Sequence, residues 1–241
     1  MDVKTRNVWE ELDHQSLLVE KYTSRHEPDC VKLLQDAIGL LGEALEITPS
    51  LPDVGDASVV KMSMSSYNLT TLKCAVDITL RGYYNQSINL LRIVYENSIA
   101  SIYLTEFPDK ARLWMSVKKR PPKCSAMLKQ LGEKVAPYKT KLDEWYGTLC
   151  RFAHTDAICI IPQISGDRYP NETTIHYGTT YKRERFRGSA YLIAGLIGFV
   201  LPDFGMENHA ASEWHKKHQA LEKRILDFIQ IYHDEQPGVT S

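Results

Sequence analysis

Two long stretches of the chain repeat apolar residues every three or four positions, with Gly82 between them. The spacing predicts one helix over 57–81 and a second over 84–106. A connection this short makes the two helices antiparallel neighbours. The second stretch is apolar around most of its circumference, which is typical of a helix at the centre of a bundle. Further helices must therefore surround this pair.

The same periodicity predicts further helices at roughly 7–22, 29–46, 108–119, 123–134, 137–155, 187–201 and 206–233. Two short alternating runs separated by turn-forming residues predict a β-hairpin near 157–180, and Pro162 indicates an edge strand. The expected fold class is mainly α, a multi-helix bundle with one short hairpin insertion. We find no internal repeat or linker and expect a single helical domain over 1–241. Its parts would be an N-terminal arm (1–28), a bundle core (29–156), the hairpin, and a C-terminal helix pair (187–233).

Composition argues against several classes of protein. The formal net charge is -1, so the whole molecule lacks the field that attracts nucleic acid, although a local basic patch remains possible. Five cysteines lie far apart, as buried thiols in a reducing compartment do. The most apolar stretch, 188–201, is shorter than the roughly 20 residues that cross a bilayer, and the N-terminus lacks the apolar core of a signal peptide. We expect a soluble cytoplasmic protein with no membrane partner and no cofactor.

A polar row marks the otherwise apolar central helix. Asn85, Asn89, Arg92 and Glu96 follow intervals of four, three and four residues, so they project from one face. Buried polar groups destabilise a fold unless they find partners. Arg92 and Glu96 can pair with each other, although the favoured order places the acid first. Two interpretations stay open: a structural ion-pair network, or a polar ligand-binding pocket lined by Asn89, Arg92 and Glu96.

A second constellation ends the helix predicted over 137–155. Arg151 and His154 lie one turn apart there, and the helix dipole at that end favours a charged histidine. His154 either caps the helix through a carbonyl or acts as a general acid or base while Arg151 binds an anion. We expect His154 to meet Arg92 and Glu96 at one cavity, because both helices should pack centrally.

Three further groups are candidates for ligand contact. A basic cluster between the predicted hairpin and the next helix is either solvated surface or a phosphate and nucleic-acid contact. It consists of Lys182, Arg183, Arg185 and Arg187. A second, smaller basic patch is formed by Lys118, Lys119 and Arg120. His215, His218 and Glu222 have metal-ligand spacing, but His218 falls on an apolar seam and no fourth ligand is indicated. We therefore expect no metal site.

Two short motifs give the chain a resemblance to known proteins. Ser-Ile-Asn-Leu-Leu-Arg-Ile-Val-Tyr-Glu at 87–96 is followed some 55 residues later by Leu-Cys-Arg-Phe-Ala-His at 149–154. Over roughly 60–200 the chain resembles a group of uncharacterised bacterial helical proteins, which in turn resemble the HEPN superfamily. Many HEPN proteins are dimeric, metal-independent RNases of toxin and phage-defence systems. The resemblance implies a homodimer and gives Arg151 and His154 the catalytic roles, although the family separates its pair by about four to six residues and this chain by two.

Two functions follow from these observations. The first is a non-catalytic helical module that binds a small-molecule ligand or a partner through a polar interior site. The second is an HEPN-like RNase in which Arg151 and His154 act on RNA and 182–187 helps to hold it. The net charge of -1 favours the first, because a nuclease must hold a polyanion.

Overall fold

The computed structural model describes residues 7–47, 55–153, 164–165, 174–175, 179–205 and 212–235. The helices of this part are α1 (Val8–His26), α2 (Pro28–Ile47), α3 (Asp56–Leu80), α4 (Tyr84–Glu106), α5 (Cys124–Leu131), α6 (Lys139–Ala153), α7 (Arg183–Gly205) and α8 (Ser212–Asp234). Short 3-10 helices lie at Pro108–Leu113, Gly132–Lys134 and Ala136–Tyr138. The prediction of a mainly α-helical bundle is confirmed.

The turn between α3 and α4 requires glycine for two reasons. Gly82 has φ +86°, a backbone conformation that other residues adopt only with strain. A Cβ at this position would also lie 3.1 Å from side-chain atoms of both Val19 and Thr179. The turn therefore brings α1 and the segment before α7 against the α3–α4 pair.

Helix α4 lies at the centre of the bundle, as its apolar pattern predicted. It packs against α3, α5, α6 and α7. Leu91, Tyr95 and Ile99 on this helix are 0% exposed. Burying an apolar side chain of this size stabilises a fold by roughly 1.5–3 kcal/mol. The helices around α4 come from both halves of the chain, so α4 joins them to one hydrophobic core.

The two C-terminal helices cover α2. Helix α7 packs against α2, α3 and α4, and α8 packs against α2 and α7. Trp214 at the start of α8 is buried and donates its indole N–H to the carbonyl oxygen of Leu40 at 3.1 Å. Leu221 and Ile225 are buried on the same side of α8. Apolar residues at helical spacing therefore form an inward seam on α8.

The most apolar stretch of the chain lies within α7. Ala190, Ile193 and Ile197 are each no more than 1% exposed. The prediction that this stretch is a buried helix is confirmed. Among the described helices, none is long and apolar enough to cross a membrane.

Several helices differ from their predicted bounds, and two of the differences concern basic residues. The helix predicted over 108–119 is wrong: a 3-10 helix ends at Leu113, and 114–123 has no helix or strand. Ala111 is the one buried residue of that 3-10 helix, so a longer helix there would have little core to pack against. Helix α7 begins at Arg183 rather than 187, which places the three arginines of the basic cluster in its first turns instead of a loop.

The predicted hairpin at 157–180 lies largely outside the described residues. Ile164–Ser165 (β1) pairs antiparallel with Thr174–Ile175 (β2), with Ile164 opposite Ile175. Strands of the predicted length, 157–164 and 173–180, are not seen in the part of the chain that the structure describes. The residues directly before α7, 179–182, have no regular secondary structure.

The Trp145 ring of α6 packs against α7 at Gly195. Ala190, Ala194 and Gly198 have the four-residue spacing typical of a close helix approach, but the tightest contact lies at Gly195. A Cβ on Gly195 would lie 2.7 and 2.8 Å from two carbons of the Trp145 ring. A Cβ on Gly198 would have Ile225 at an ordinary 3.7 Å.

We expect Gly195→Ala to lower the free energy of unfolding by roughly 1–3 kcal/mol, because the Trp145 ring must move. Gly198→Ala is the matched control. It should be neutral or should raise the free energy of unfolding by up to about 1 kcal/mol, because alanine is the better helix former. Urea unfolding followed by circular dichroism measures both. Equal effects of the two substitutions would contradict the packing described.

Candidate functional site

Two groups of polar side chains in the described chain include the residues singled out in the sequence. One, which we call the Arg92 site, consists of Arg92 and Glu96 of α4, Cys124 of α5, and Tyr146 and Cys150 of α6. The other, which we call the Glu27 cluster, consists of Glu27, Tyr181, Arg183, Arg187 and Glu235. The two differ in burial and in what their charges contact.

The Arg92 site is built around an ion pair within α4. The Nε of Arg92 donates to Oε1 of Glu96 at 3.0 Å, so the pair forms despite its reversed order. This hydrogen bond with Glu96 is the main reason why the pKa of Arg92 is raised. The two side chains are 29% and 39% exposed. Because ion pairs this open to water stabilise a fold by only about 0–1 kcal/mol, the bundle does not depend on this one.

Helix α6 supplies an aromatic face to the pair. The guanidinium carbon of Arg92 lies 5.7 Å from the centre of the Tyr146 ring, within the range of a cation–π interaction. Tyr146 in turn stacks on Tyr95, with ring centres 5.7 Å apart. The hydroxyl of Tyr95 donates to the carbonyl oxygen of Leu142 at 3.0 Å, which holds α6 against α4. The ring beside Arg92 is therefore fixed in position from behind.

Two cysteines lie beside the pair. Burial raises the pKa of Tyr146, and its neighbour Cys150 raises it further. Cys124 is buried, and burial together with the charge of Glu96 raises the pKa of its thiol to about 12. A thiol with this pKa is protonated at neutral pH and is a poor nucleophile. Cys124 is therefore a poor candidate for a catalytic nucleophile.

The predicted polar row does not lie in the interior as one unit. Asn85 is buried, but Asn89 is exposed and Arg92 and Glu96 are partly exposed. The expectation of an interior row is therefore wrong at Asn89. Ile93, on the same side of α4, is 39% exposed. This side of the helix remains open to water, whereas its other sides are covered by α3, α6 and α7.

The Arg151–His154 constellation is described only in part. Arg151 is exposed in the last described turn of α6. His154 lies outside the described residues, so its meeting with Arg92 and Glu96 stays a prediction. Cys150, directly before Arg151, belongs to the Arg92 site. The last turns of α6 therefore lie near the ion pair of Arg92 and Glu96.

Glu27 belongs to no motif that the sequence reveals. It lies between α1 and α2 and is 5% exposed. Its Oε1 accepts hydrogen bonds from the Tyr181 hydroxyl at 3.1 Å and from Nε of Arg183 at 3.2 Å. Its Oε2 accepts one from Nε of Arg187 at 3.1 Å. A buried carboxylate needs such partners, because an uncompensated charge in the interior destabilises a fold by several kcal/mol.

Glu235, directly after α8, completes the Glu27 cluster. It pairs with Arg187 and lies 3.8 Å from Arg183. Burial alone would lower the pKa of Arg187, but its hydrogen bonds to Glu235 and Glu27 outweigh burial and raise it. The hydrogen bond to Arg187 lowers the pKa of Glu235. Burial and Glu27 raise the pKa of Tyr181 to about 12, so it remains a protonated donor at neutral pH.

Arg185 also turns toward the fold. It donates to the side-chain oxygen of Asn85, and its guanidinium lies 5.7 Å from the Tyr84 ring centre. Three of the four residues predicted to contact phosphate therefore bond to groups of the bundle, while Lys182 is exposed. These contacts favour a structural role for the arginines.

His215 and His218, the two histidines with metal-ligand spacing, lie in the first two turns of α8. His218 is partly buried 5.2 Å from Trp214, ring centre to ring centre, and burial lowers its pKa. In the residues described here, no three His, Cys, Asp or Glu side chains are grouped so as to hold a metal ion.

Comparison of the chain with protein-family models, with curated proteins and with solved structures found no match. The resemblance to HEPN proteins therefore stays a prediction that rests on residues 87–96 and 149–154. The features of the described chain that bear on function are therefore the Arg92 site, the Glu27 cluster and the charged side chains on the surface.

Proposed function

We propose that the chain is a non-catalytic binding module that holds a small polar ligand at the Arg92 site. The observation that supports this is the ion pair between Arg92 and Glu96, which is backed by a fixed aromatic ring yet 29% and 39% exposed. A pair in this setting adds little to stability. It does place a cation and an anion at a fixed separation on the surface.

The chemistry of the pair indicates the class of ligand. A guanidinium presents a planar fork of donors that binds carboxylate or phosphate groups through two hydrogen bonds. The carboxylate of Glu96 accepts from a hydroxyl or amino group. Tyr146 restricts the motion of Arg92, so less conformational entropy is lost on binding. The ligand we propose carries an acidic group and a hydrogen-bond donor.

Differential scanning fluorimetry with inorganic phosphate, citrate, glutamate and adenosine monophosphate tests this proposal. A ligand that binds only the folded state raises Tm. We expect at least one of the four to raise the Tm of the wild type and to leave the Tm of Arg92→Ala and Glu96→Gln unchanged. The control is Arg112→Ala, which removes an exposed arginine paired with Asp56 and should respond like the wild type.

Two results would contradict the proposed site. One is that none of the four compounds shifts the Tm of the wild type. The other is that Arg92→Ala responds as strongly as the wild type, which would place the ligand elsewhere.

The second candidate function is an HEPN-like, metal-independent RNase of a toxin or phage-defence system. The exposed position of Arg151 beside the Arg92 site supports it. In this proposal Arg151 binds the phosphate, His154 is the acid or base, and the protein is a homodimer. A cytoplasmic location belongs to both proposals, and the described cysteines are free thiols, in keeping with it.

Incubation with total RNA in the presence of a metal chelator separates the two candidates. An RNase should cleave the RNA, and both Arg151→Ala and His154→Ala should abolish cleavage because each removes one of the two reacting groups. Arg112→Ala is again the control. Absence of cleavage, or cleavage unchanged in His154→Ala, would eliminate the RNase.

A further inference from the structure

Positive charge is concentrated in one segment of this nearly neutral chain. Residues 110–141 contain ten of its 29 Lys and Arg residues but one of its 30 Asp and Glu residues, Glu133. The formal net charge of the whole chain is -1. The rest of the molecule is therefore acidic, and a small part of it is strongly basic.

The cations of this segment all reach the solvent. Three of them pair with acids outside the segment: Lys110 with Asp109, Arg112 with Asp56, and Lys134 with Glu106. The other seven make no ion pair within the described part of the chain, and we call them the basic surface. They are Lys118, Lys119, Arg120, Lys123, Lys129, Lys139 and Lys141. Like charges concentrated in one segment repel each other, and a bound polyanion would relieve that repulsion.

The fold holds these cations on the outer side of a short, continuous structure. Residues 118–123 lead into α5, and the two 3-10 helices that follow lead into α6. Apolar residues alternate with the cations and are anchored in the core: Met127, Leu131, Val135 and Leu142 are 4–5% exposed. The inner side of the segment is thus fixed, and the charged side chains are left to face water.

We propose that the basic surface binds single-stranded nucleic acid through its backbone phosphates. A flexible strand with one charge per nucleotide can follow cations spread over several short elements. Tyr138, between Lys134 and Lys139, is 66% exposed and offers a ring on which a base can stack. This contact does not require a ligand at the Arg92 site, so it goes beyond the function proposed above.

An anionic membrane is the main competing partner for the same charges. Met115 is 55% exposed, and Val117 beside Lys118 is fully exposed, so both could insert among lipid chains. A bilayer would contact mainly residues 115–120, however, where the exposed apolar side chains lie. The seven cations are spread over a longer part of the chain, from Lys118 to Lys141. Their spread favours a polymer that follows the surface.

Fluorescence anisotropy with labelled oligo-uridine RNA and oligo-thymidine DNA, each of about 20 nucleotides, tests this proposal. We expect the wild type to bind both at about 50 mM salt, with affinity that falls as salt rises. The variants Lys118→Glu/Lys119→Glu/Arg120→Glu and Lys129→Glu/Lys139→Glu/Lys141→Glu should each weaken binding at least about tenfold. Because each phosphate contact contributes about 0.7 to the slope of log affinity against log salt, each triple variant should reduce that slope by about 2.

The control variant is Lys21→Glu/Lys216→Glu/Lys223→Glu, which makes the same change in net charge at exposed positions on α1 and α8. It should retain wild-type affinity within about threefold. Circular dichroism and Tm show whether each variant folds, and exposed positions should tolerate the change.

Three results would overturn the proposal. The first is no binding of either oligonucleotide by the wild type. The second is an equal loss of affinity in the control variant, which would reduce the effect to net charge. The third is binding to phosphatidylserine vesicles that Met115→Ser/Val117→Ser abolishes, without oligonucleotide binding, which would assign the surface to a membrane.

Discussion

The carboxylate of Glu27, buried between α1 and α2, needs positively charged partners from the C-terminal part of the chain. Glu27 is 5% exposed, and a charge in that position is tolerated only beside opposite charge and hydrogen-bond donors. Arg183 and Arg187 supply both, and Glu235 balances their excess charge. The α1–α2 junction, the first turns of α7 and the end of α8 are consequently held at one point.

Burial separates this cluster from the Arg92 site in energetic terms. Removing one partner of a buried, hydrogen-bonded ion pair typically lowers stability by about 3–5 kcal/mol, whereas an exposed pair contributes about 0–1 kcal/mol. The arginines of α7 are thus explained by the fold. The pair of Arg92 with Glu96, partly exposed beside Tyr146, contributes much less to stability. The same reasoning applies to the unpaired cations of the basic surface, which the bundle does not use.

Periodicity predicted the parts of the structure that local spacing determines. The central position of α4 and the inward seam of α8 both follow from apolar residues one turn apart. The prediction of a helix over 108–119 was wrong because spacing shows which residues are apolar, but not whether they have a core to pack against. The prediction that Asn89 lies in the interior was wrong for a related reason. Periodicity shows which residues share a face of α4, but not whether another helix covers that face.

Contacts between distant parts of the chain were beyond sequence reasoning. Glu27 and Arg187 are 160 positions apart, and Asn85 and Arg185 are 100 apart. Neither pair has a motif that connects its members. The polar row and the basic cluster were each recognised, but nothing in the spacing indicated that Asn85 of one bonds to Arg185 of the other. The sequence around Tyr146 likewise indicates only a helix, and the contact of its ring with Arg92 is visible only in the structure.

The distinction between a structural and a functional cluster is tested most directly by double-mutant cycles in urea unfolding. The first cycle combines Glu27→Gln with Arg187→Met, and the second combines Glu96→Gln with Arg92→Met. We expect a coupling free energy of about 2–3 kcal/mol for the buried pair and less than about 1 kcal/mol for the exposed pair. A coupling between Glu27 and Arg187 no larger than that between Arg92 and Glu96 would contradict the account.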